Sequence, residues 1–511
     1  MKGIMRDLLL GIDVGTTGVK AALFTVEGVL LAAHSVEHPT HHLRANWVEQ
    51  EPEDWWRGVC GSVQYVLGQV PEAADRVAGL AVSSQAPSMI ALDAEGQPVR
   101  PALIWMDRRA ETEAAQMAAQ LGHDEVIRIS GNRPDPYYVA PKIAWMRAHE
   151  PELFQQTRWF AQIPGYINYR LSGVMTLDEV HAGLTQLRDR NTGAWSPDIC
   201  GFCGLDPAKL PPVYPGHHIQ GEVTPQAAAA TGLRAGTPVM VGTVDGAAAA
   251  VEAGVAEEGI IAEMTGTSTV LLIPNSSQIS EPAFIAMPHA LPGLHLLVAA
   301  MVSSGASLNW FRDQFGRWEV EQAAQSGEDV FDLLTQQAAK APQGSDGVIF
   351  LPYMMGERAP IWHTQARGVL FGLSLATERS AVIRSILEGT AFAMRHNLDV
   401  ARKAGVQVTE IRSVGGGARS RLWCQIKANI LGVPVAIPEA AVGAPFGDAV
   451  LVGMGAGFYP DVLTALKGMV RIRQIYDPDL EHAWRYSRQY ALFRSIYTHL
   501  RDDFDRLAEV P

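Results

Sequence analysis

One pattern occurs twice in this sequence and limits its folding more than anything else in it. Leu8 to Asp13 is a short apolar run closed by an aspartate, followed by the turn Gly15-Thr16-Thr17-Gly18 and a second apolar run, Val19 to Phe24. Ile260 to Met264, the turn Thr265-Gly266-Thr267-Ser268 and Thr269 to Ile273 follow the same plan in the second half. Short apolar runs bounded by turn residues read as buried strands. Each passage is therefore a strand, a hydroxyl-bearing glycine turn and a returning strand. The likeness is too slight at residue level to prove duplication, but it points to two lobes of related architecture.

Length agrees, since 511 residues exceed what one hydrophobic core serves. The division is expected near residues 246–258, where the Ala-rich run 247–253 ends in Gly254. That gives an N-terminal lobe of residues 1–250 and a C-terminal lobe of residues 251–511. In the first, Glu27-Gly28 turns the chain into a third strand, Val29 to Ser35, completing an antiparallel meander. Glu53 to Val70 carries Trp55, Trp56, Val59 and Val63 at helical spacing, and Val77 to Ser83 and Met89 to Leu92 are further strands. Helices are expected at 110–121, 140–149 and 164–171. In the second lobe they are expected at 302–315, 378–404 and 420–431, with a strand at Ile411 to Val414 and a Pro/Gly-rich segment at 352–372. The last thirty residues read as helical, with Trp484, Tyr490, Phe493 and Tyr497 as packing anchors.

Hydrophobic residues at 47% and charged residues at 19% are ordinary for a soluble globular chain. A net charge of -13 argues against broad binding to a nucleic-acid backbone. A small anion remains accessible to backbone N–H groups. No apolar segment approaches bilayer length, and Met1 to Asp13 lacks a signal-peptide pattern, so a cytoplasmic protein with no membrane partner is expected. Cys200 and Cys203 form a C-x-x-C without a thioredoxin-like context or a second ligand pair, and His217 and His218 add no metal spacing. Two packed thiols are expected.

Four stretches carry chemistry. In Asp13-Val14-Gly15-Thr16-Thr17-Gly18-Val19-Lys20, the glycines let backbone N–H groups approach an anion, the threonine hydroxyls add donors, and Lys20 adds a charge suited to phosphate. Asp13, at the strand end, is placed to hold Mg²⁺ through water. A plain hairpin turn is the alternative. Thr265-Gly266-Thr267-Ser268 supplies a second hydroxyl-rich turn. Ser413-Val414-Gly415-Gly416-Gly417-Ala418 lets a flat ligand such as an adenine or ribose ring approach the backbone, or else is a close-packing turn. It is not G-x-G-x-x-G, and no P-loop occurs. In Gly242-Thr243-Val244-Asp245-Gly246, a carboxylate lies between an apolar strand and small residues. It reads either as a helix cap or as the base of a phosphoryl transfer, which needs little beyond orienting a hydroxyl and accepting its proton late. In the company of the other three stretches, the base is preferred.

Together, in this order and over residues 8–456, these stretches resemble the FGGY carbohydrate kinase family of the actin-like ATPase superfamily. Trp105-Met106-Asp107-Arg108-Arg109 is similar to the family's W-x-D-x-R segment, and Gly356-Glu357-Arg358 to its Gly-Glu-Arg passage. Leu387-Glu388-Gly389 and Gly416-Gly417-Ala418-Arg419-Ser420 with Trp423 match as well. The resemblance implies an α/β fold of two ribonuclease-H-like lobes, with an ATP and sugar cleft between them. It implies Asp13 at the Mg²⁺, Thr16, Thr17 and Lys20 at phosphates, and Gly266, Thr267, Gly305, Asn309, Gly416, Gly417 and Ala418 lining the nucleotide. Gln85, Trp105, Asp107 and Asp245 would face a small sugar or polyol, with Asp245 as base. A sensing protein on the same scaffold is the alternative, and a homodimer is left open. Within the family the chain looks most like the xylulokinase branch, with one departure. Where that branch reads Gly-Gln-Met-His-Gly, this chain reads Ser84-Gln85-Ala86-Pro87-Ser88, and proline cannot donate a hydrogen bond. Tyr137 and Tyr138 are either core residues or a reshaped wall of the same pocket.

Overall fold

The computed structural model describes residues 6–439, 442–481 and 483–509. The chain forms two compact units: Met1–Ala256 with Ala286–Leu296 and Val442–Val470, and Glu257–Ile285 with Leu297–Ala441 and Arg471–Pro511. The sequence suggested one crossing near residue 250, but 286–296 and 442–470 return to the first unit. The cause of the second return is the Ala444–Gly455 helix, which closes a face of the first unit's sheet. It brings Phe446 edge-on to Phe24 at 5.7 Å, a long-range packing relation that no local pattern records.

The first unit is built on a sheet whose strand order is Ile219–Glu222, Pro238–Met240, Val77–Ser84, Leu8–Val14, Gly18–Thr25, Leu30–Glu37, with Thr243–Val244 also paired to Val77–Ser84. Leu8–Val14 runs antiparallel to Gly18–Thr25 and parallel to Val77–Ser84. Val77–Ser84 is buried at all its positions, as a central strand covered on both faces must be. The Pro52–Gly68 helix packs on the meander through Trp55, Val59, Val63 and Val66, so the apolar spacing of the sequence becomes its buried face.

The second unit repeats the frame. Gly259–Thr265 is antiparallel to Thr269–Asn275 and parallel to Val408–Gly415, and Val435–Pro438 and Ile472–Tyr476 continue the sheet. The Arg379–Lys403 and Arg421–Leu431 helices pack against each other beside it. In the Ala483–Ala508 helix Tyr490 and Phe493 are buried as expected, whereas Trp484 is 54% exposed and meets Arg485 and Arg488 of its own helix. Cys200 and Cys203 are buried free thiols, and burial pushes both up in pKa, which suits packing and not redox chemistry.

Candidate active site

The ends of the parallel strands in the first unit gather the polar groups. Asp13 stands opposite Lys20 on one side and Ser83 on the other. Beyond it the Gly15 amide donates to the Gly18 carbonyl at 3.0 Å, closing the turn. Thr16 Oγ1 donates to Gln85 Oε1 at 3.0 Å and accepts from Trp105 Nε1 at 3.1 Å. Gln85 Nε2 donates to Gln50 Oε1 at 2.7 Å, and Gln50 Nε2 donates to the Thr16 carbonyl at 2.8 Å. The structure thus brings Thr16, Gln85 and Trp105 together and adds Gln50, a fully buried residue that sequence reasoning did not single out. Thr17 is exposed at the tip of the turn. Lys20 Nζ donates to the Val442 carbonyl, and Glu252 accepts from the Val442 and Gly443 amides.

Asp107 behaves differently from its expectation. It was to face the sugar, but it is fully buried and both its oxygens are occupied. Oδ1 accepts from the Arg109 amide at 3.1 Å, and Oδ2 from the Val48 amide and Arg109 Nη2, both at 2.7 Å. Arg109 lies in turn over the Trp47 ring at 4.1 Å. An acceptor saturated in this way holds its own loop and has nothing left for a ligand.

Asp245 is delivered by a kink. Gly242 has a φ of 90°, and a Cβ there would lie 2.0 Å from the Val82 carbonyl oxygen. Only glycine takes that left-handed step against the neighbouring strand. Thr243–Val244 then pairs with Ser83–Ser84, and Asp245 opens the Asp245–Glu252 helix. Its Oδ1 accepts from the adjacent Gly246 amide at 2.6 Å, and not from the second or third helical amide that a capping side chain would serve. Asp448 on the Ala444–Gly455 helix is a third carboxylate in this region, fully buried, with Oδ2 accepting from Ser83 Oγ at 2.7 Å. A lone aspartate in an otherwise apolar helix was the signal that could have found it.

Burial, then the negative charge of Asp245, pushes the Asp13 carboxyl well above the ordinary carboxylate range, against the pull of Lys20. Burial raises Asp245 as well, opposed by the Gly246 amide and by His181. Asp448 is raised by burial and by Asp13 and Asp245 together. Asp13 Oδ1 and Asp448 Oδ1 have no hydrogen-bond partner. Buried carboxylate oxygens left without a donor are what a cation would relieve. Among the described residues no three His, Cys, Asp or Glu side chains form a closed metal cage. Water and phosphate oxygens would complete the shell, as Mg²⁺ favours.

Pro87 sits next to Ala86, whose carbonyl accepts from Tyr137 Oη at 2.8 Å. Tyr138 is buried in the core, and Tyr137 is partly buried.

The second unit holds a cavity of about 430 Å³ lined by Gly266, Gly305, Asn309, Gly416, Gly417 and Trp423 among others. Thr267 and Ala418, expected beside them, are not in its wall. Thr267 accepts the Ala306 amide through its carbonyl at 2.9 Å, and Ala418 is buried. Beneath the cavity lies a fully buried ion pair that sequence reasoning missed: Lys427 Nζ donates to Glu263 Oε2 at 2.7 Å and to Ser413 Oγ at 3.3 Å. Glu263 also accepts from Thr265 Oγ1 and Ser413 Oγ. A cavity that sets glycine backbone and the Trp423 and Phe331 rings beside Asn309, Asp332 and Thr335 suits a flat, hydroxyl-bearing ligand.

Both halves of the chain match one family. The N-terminal domain of the FGGY family of carbohydrate kinases matches residues 8–252 and the C-terminal domain residues 262–456, so the chain belongs to that family and is a sugar-kinase enzyme. Among its relatives, xylulose kinase of Bacillus subtilis (strain 168) is 30% identical, covering 97% of both chains. Gluconokinase of the same organism is 29% identical, covering 99% of this chain and 98% of its own. The crystal structure of xylulose kinase from Rhodospirillum rubrum superposes with a TM-score of 0.89 at 29% identity, covering 98% of this chain and all of that one. Among the described residues no helix is long and apolar enough to cross a membrane.

Proposed function

We propose that the enzyme transfers the γ-phosphoryl group of ATP to a hydroxyl of a ketopentose such as xylulose, or of a related sugar, polyol or sugar acid. The observation that carries the reading is Asp245, a carboxylate set past the strand ends beside Ser84 and Gln85, with one amide as its hydrogen-bond donor. Its free oxygen lone pairs suit orienting an acceptor hydroxyl and taking its proton late in the transfer. Gln85 and Trp105 form the sugar side, fixed to Thr16; Asp107 acts by holding the Trp105 loop in place. Thr16, Thr17 and Lys20 belong with phosphate. Gly266, Gly305, Asn309, Gly416 and Gly417 line the nucleotide cavity, and Thr267 and Ala418 shape it through the backbone. Asp13 would hold Mg²⁺, which supplies charge neutralisation at the phosphates. Relatives named for xylulose and for gluconate bracket the acceptor, and Pro87 argues that the ketose contact made by a histidine in other chains is made otherwise here. Such an enzyme works in the cytoplasm, where ATP is supplied.

The test is ADP release against a panel of ketopentoses, ketohexoses, aldoses, polyols and sugar acids. Asp245→Asn is expected to keep ATP binding and lose about a hundred- to ten-thousandfold in kcat. Undiminished turnover in that variant would remove Asp245 as the base.

A further inference from the structure

Next to Asp245 lies a hydrogen-bonded chain of three buried side chains. Asp178 Oδ1 caps the Glu179–Leu184 helix, accepting from the Val180 amide at 3.0 Å and the His181 amide at 2.9 Å. Its Oδ2 accepts from His181 Nδ1 at 2.5 Å. That bond fixes the ring, because a carboxylate demands the N–H on Nδ1 and sets the direction of the other nitrogen. His181 Nε2 then meets Ser84 Oγ at 3.1 Å. Ser84, His181 and Asp178 are all buried, at 0%, 0% and 1% exposure.

The order Asp–His–Ser is that of a nucleophilic triad, but a nucleophile must be reachable by its substrate. Ser84 is sealed, and its hydroxyl also contacts the Gln85 carbonyl at 3.0 Å. The chain therefore ends in the backbone of the residue whose side chain organises Thr16 and Gln50. Ser84 is also the register partner of Val244, one residue before Asp245, and the Glu179–Leu184 helix packs against that Thr243–Val244 strand. On the other side, Asn168 Nδ2 ties the preceding carbonyls of Met240 and Val241, at 3.2 and 2.8 Å. His181 thus stands where the strand end presenting Gln85 and the strand end presenting Asp245 are joined. His181 also opposes the upward shift of the Asp245 carboxyl.

We infer that His181, oriented by Asp178, is a positioning residue for the phosphoryl transfer, locking the Ser84–Gln85 strand end to the Thr243–Val244 strand so that Asp245 and the sugar-side glutamine keep a productive separation. The inference rests on Asp245 being the base. Misplacing a reacting group by about 1 Å costs on the order of a hundredfold in rate. Held by one nitrogen at each end, the ring is well suited to prevent such drift.

The experiment compares His181→Ala, His181→Gln, His181→Asn and Ser84→Ala in the full chain, using the best acceptor from the panel. His181→Ala is expected to lower kcat about ten- to a hundredfold while the KM for ATP stays unchanged, since the nucleotide cavity lies in the other unit. His181→Gln, whose amide sits where Nε2 was and can still reach Ser84, should recover more of kcat than His181→Asn, which keeps only the Asp178 bond. Ser84→Ala removes one hydroxyl from the chain and should lower kcat in the same direction; it decides the matter if His181→Ala does not fold. Wild-type kcat in both Ser84→Ala and His181→Ala, alongside an inactive Asp245→Asn, would overturn the role of His181 alone. So would equal recovery by Gln and Asn. A fully active Asp245→Asn would instead overturn the reading of Asp245, and His181 would fall with it.

Discussion

At the first glycine turn Asp13 faces Lys20 across the strand pair; at the second, the matching positions are Met264 and Val270. The charge of the second turn lies one residue earlier on the strand, as Glu263, and so on the opposite face of the sheet. There it is met by Lys427, Ser413 and Thr265 inside the core. The first turn thus carries a carboxylate edge that Lys20 offsets only in part, with Asp13 Oδ1 and Asp448 Oδ1 unpartnered. The second is a neutral hydroxyl turn resting on a satisfied ion pair. Under the proposed function one frame would serve two tasks, with charge left open where a cation and a moving proton are handled and hidden and braced where a nucleotide is seated.

The comparison breaks most readily at Lys427. Replacing it with Met leaves Glu263 buried without its cation, and losing one partner of a buried pair costs about 3–5 kcal/mol. The double variant Lys427→Met with Glu263→Leu should recover most of that loss, because the orphaned charge is gone. Urea unfolding of the wild type, the two single variants and the double variant measures the cycle. A single-variant loss within ~0.5 kcal/mol, as for a surface substitution, would mean that the second turn does not depend on the pair.

Gly305 sharpens the same contrast from the ligand side. A Cβ on it would stand 2.1 Å from the Gly266 carbonyl oxygen, so the Ser304–Phe315 helix reaches the second turn only through a glycine. Gly305→Ala must displace that turn, an overpacking cost of about 1–3 kcal/mol. If the cavity seats ATP, its KM should rise by about tenfold, the equivalent of about 1.4 kcal/mol, with the KM for sugar unmoved. An unchanged ATP KM would detach the second turn from nucleotide binding.

Much of this was readable from local pattern. The two strand–turn–strand passages and the Pro52–Gly68 helix follow from apolar periodicity and glycine placement, which are local properties. What escaped was set by distant packing. Asp448 reaches Ser83 only because the chain returns at residue 442, and Lys427 finds Glu263 only because the Arg421–Leu431 helix follows a strand that runs parallel to the one carrying Glu263. Asp107 was misjudged for the same reason, since its Arg109 and Val48 partners depend on the fold around them. His181 lay three residues after Asp178 in plain view, but that spacing acquires meaning only once Ser84 is known to lie opposite.

The smallest expected effect tests the open edge itself. Burial first, then Asp13 and Asp245, raises the proton affinity of Asp448 in the folded chain above its value in the unfolded one. A carboxyl so raised contributes stability that is complete below the ordinary carboxylate range and is lost as pH climbs toward the folded value. Asp448→Asn keeps an acceptor for Ser83 Oγ and removes the charge. Its melting temperature should therefore match the wild type near pH 4 and exceed it progressively toward pH 8. Adding Mg²⁺ should narrow the gap at pH 8 if a cation compensates the edge when bound. The Glu263→Leu and Lys427→Met double variant, scanned the same way, should show no such slope, because its parent pair is already compensated. A pH-independent difference for Asp448→Asn would mean that the first turn is as well braced as the second, and the contrast between the two turns would be lost.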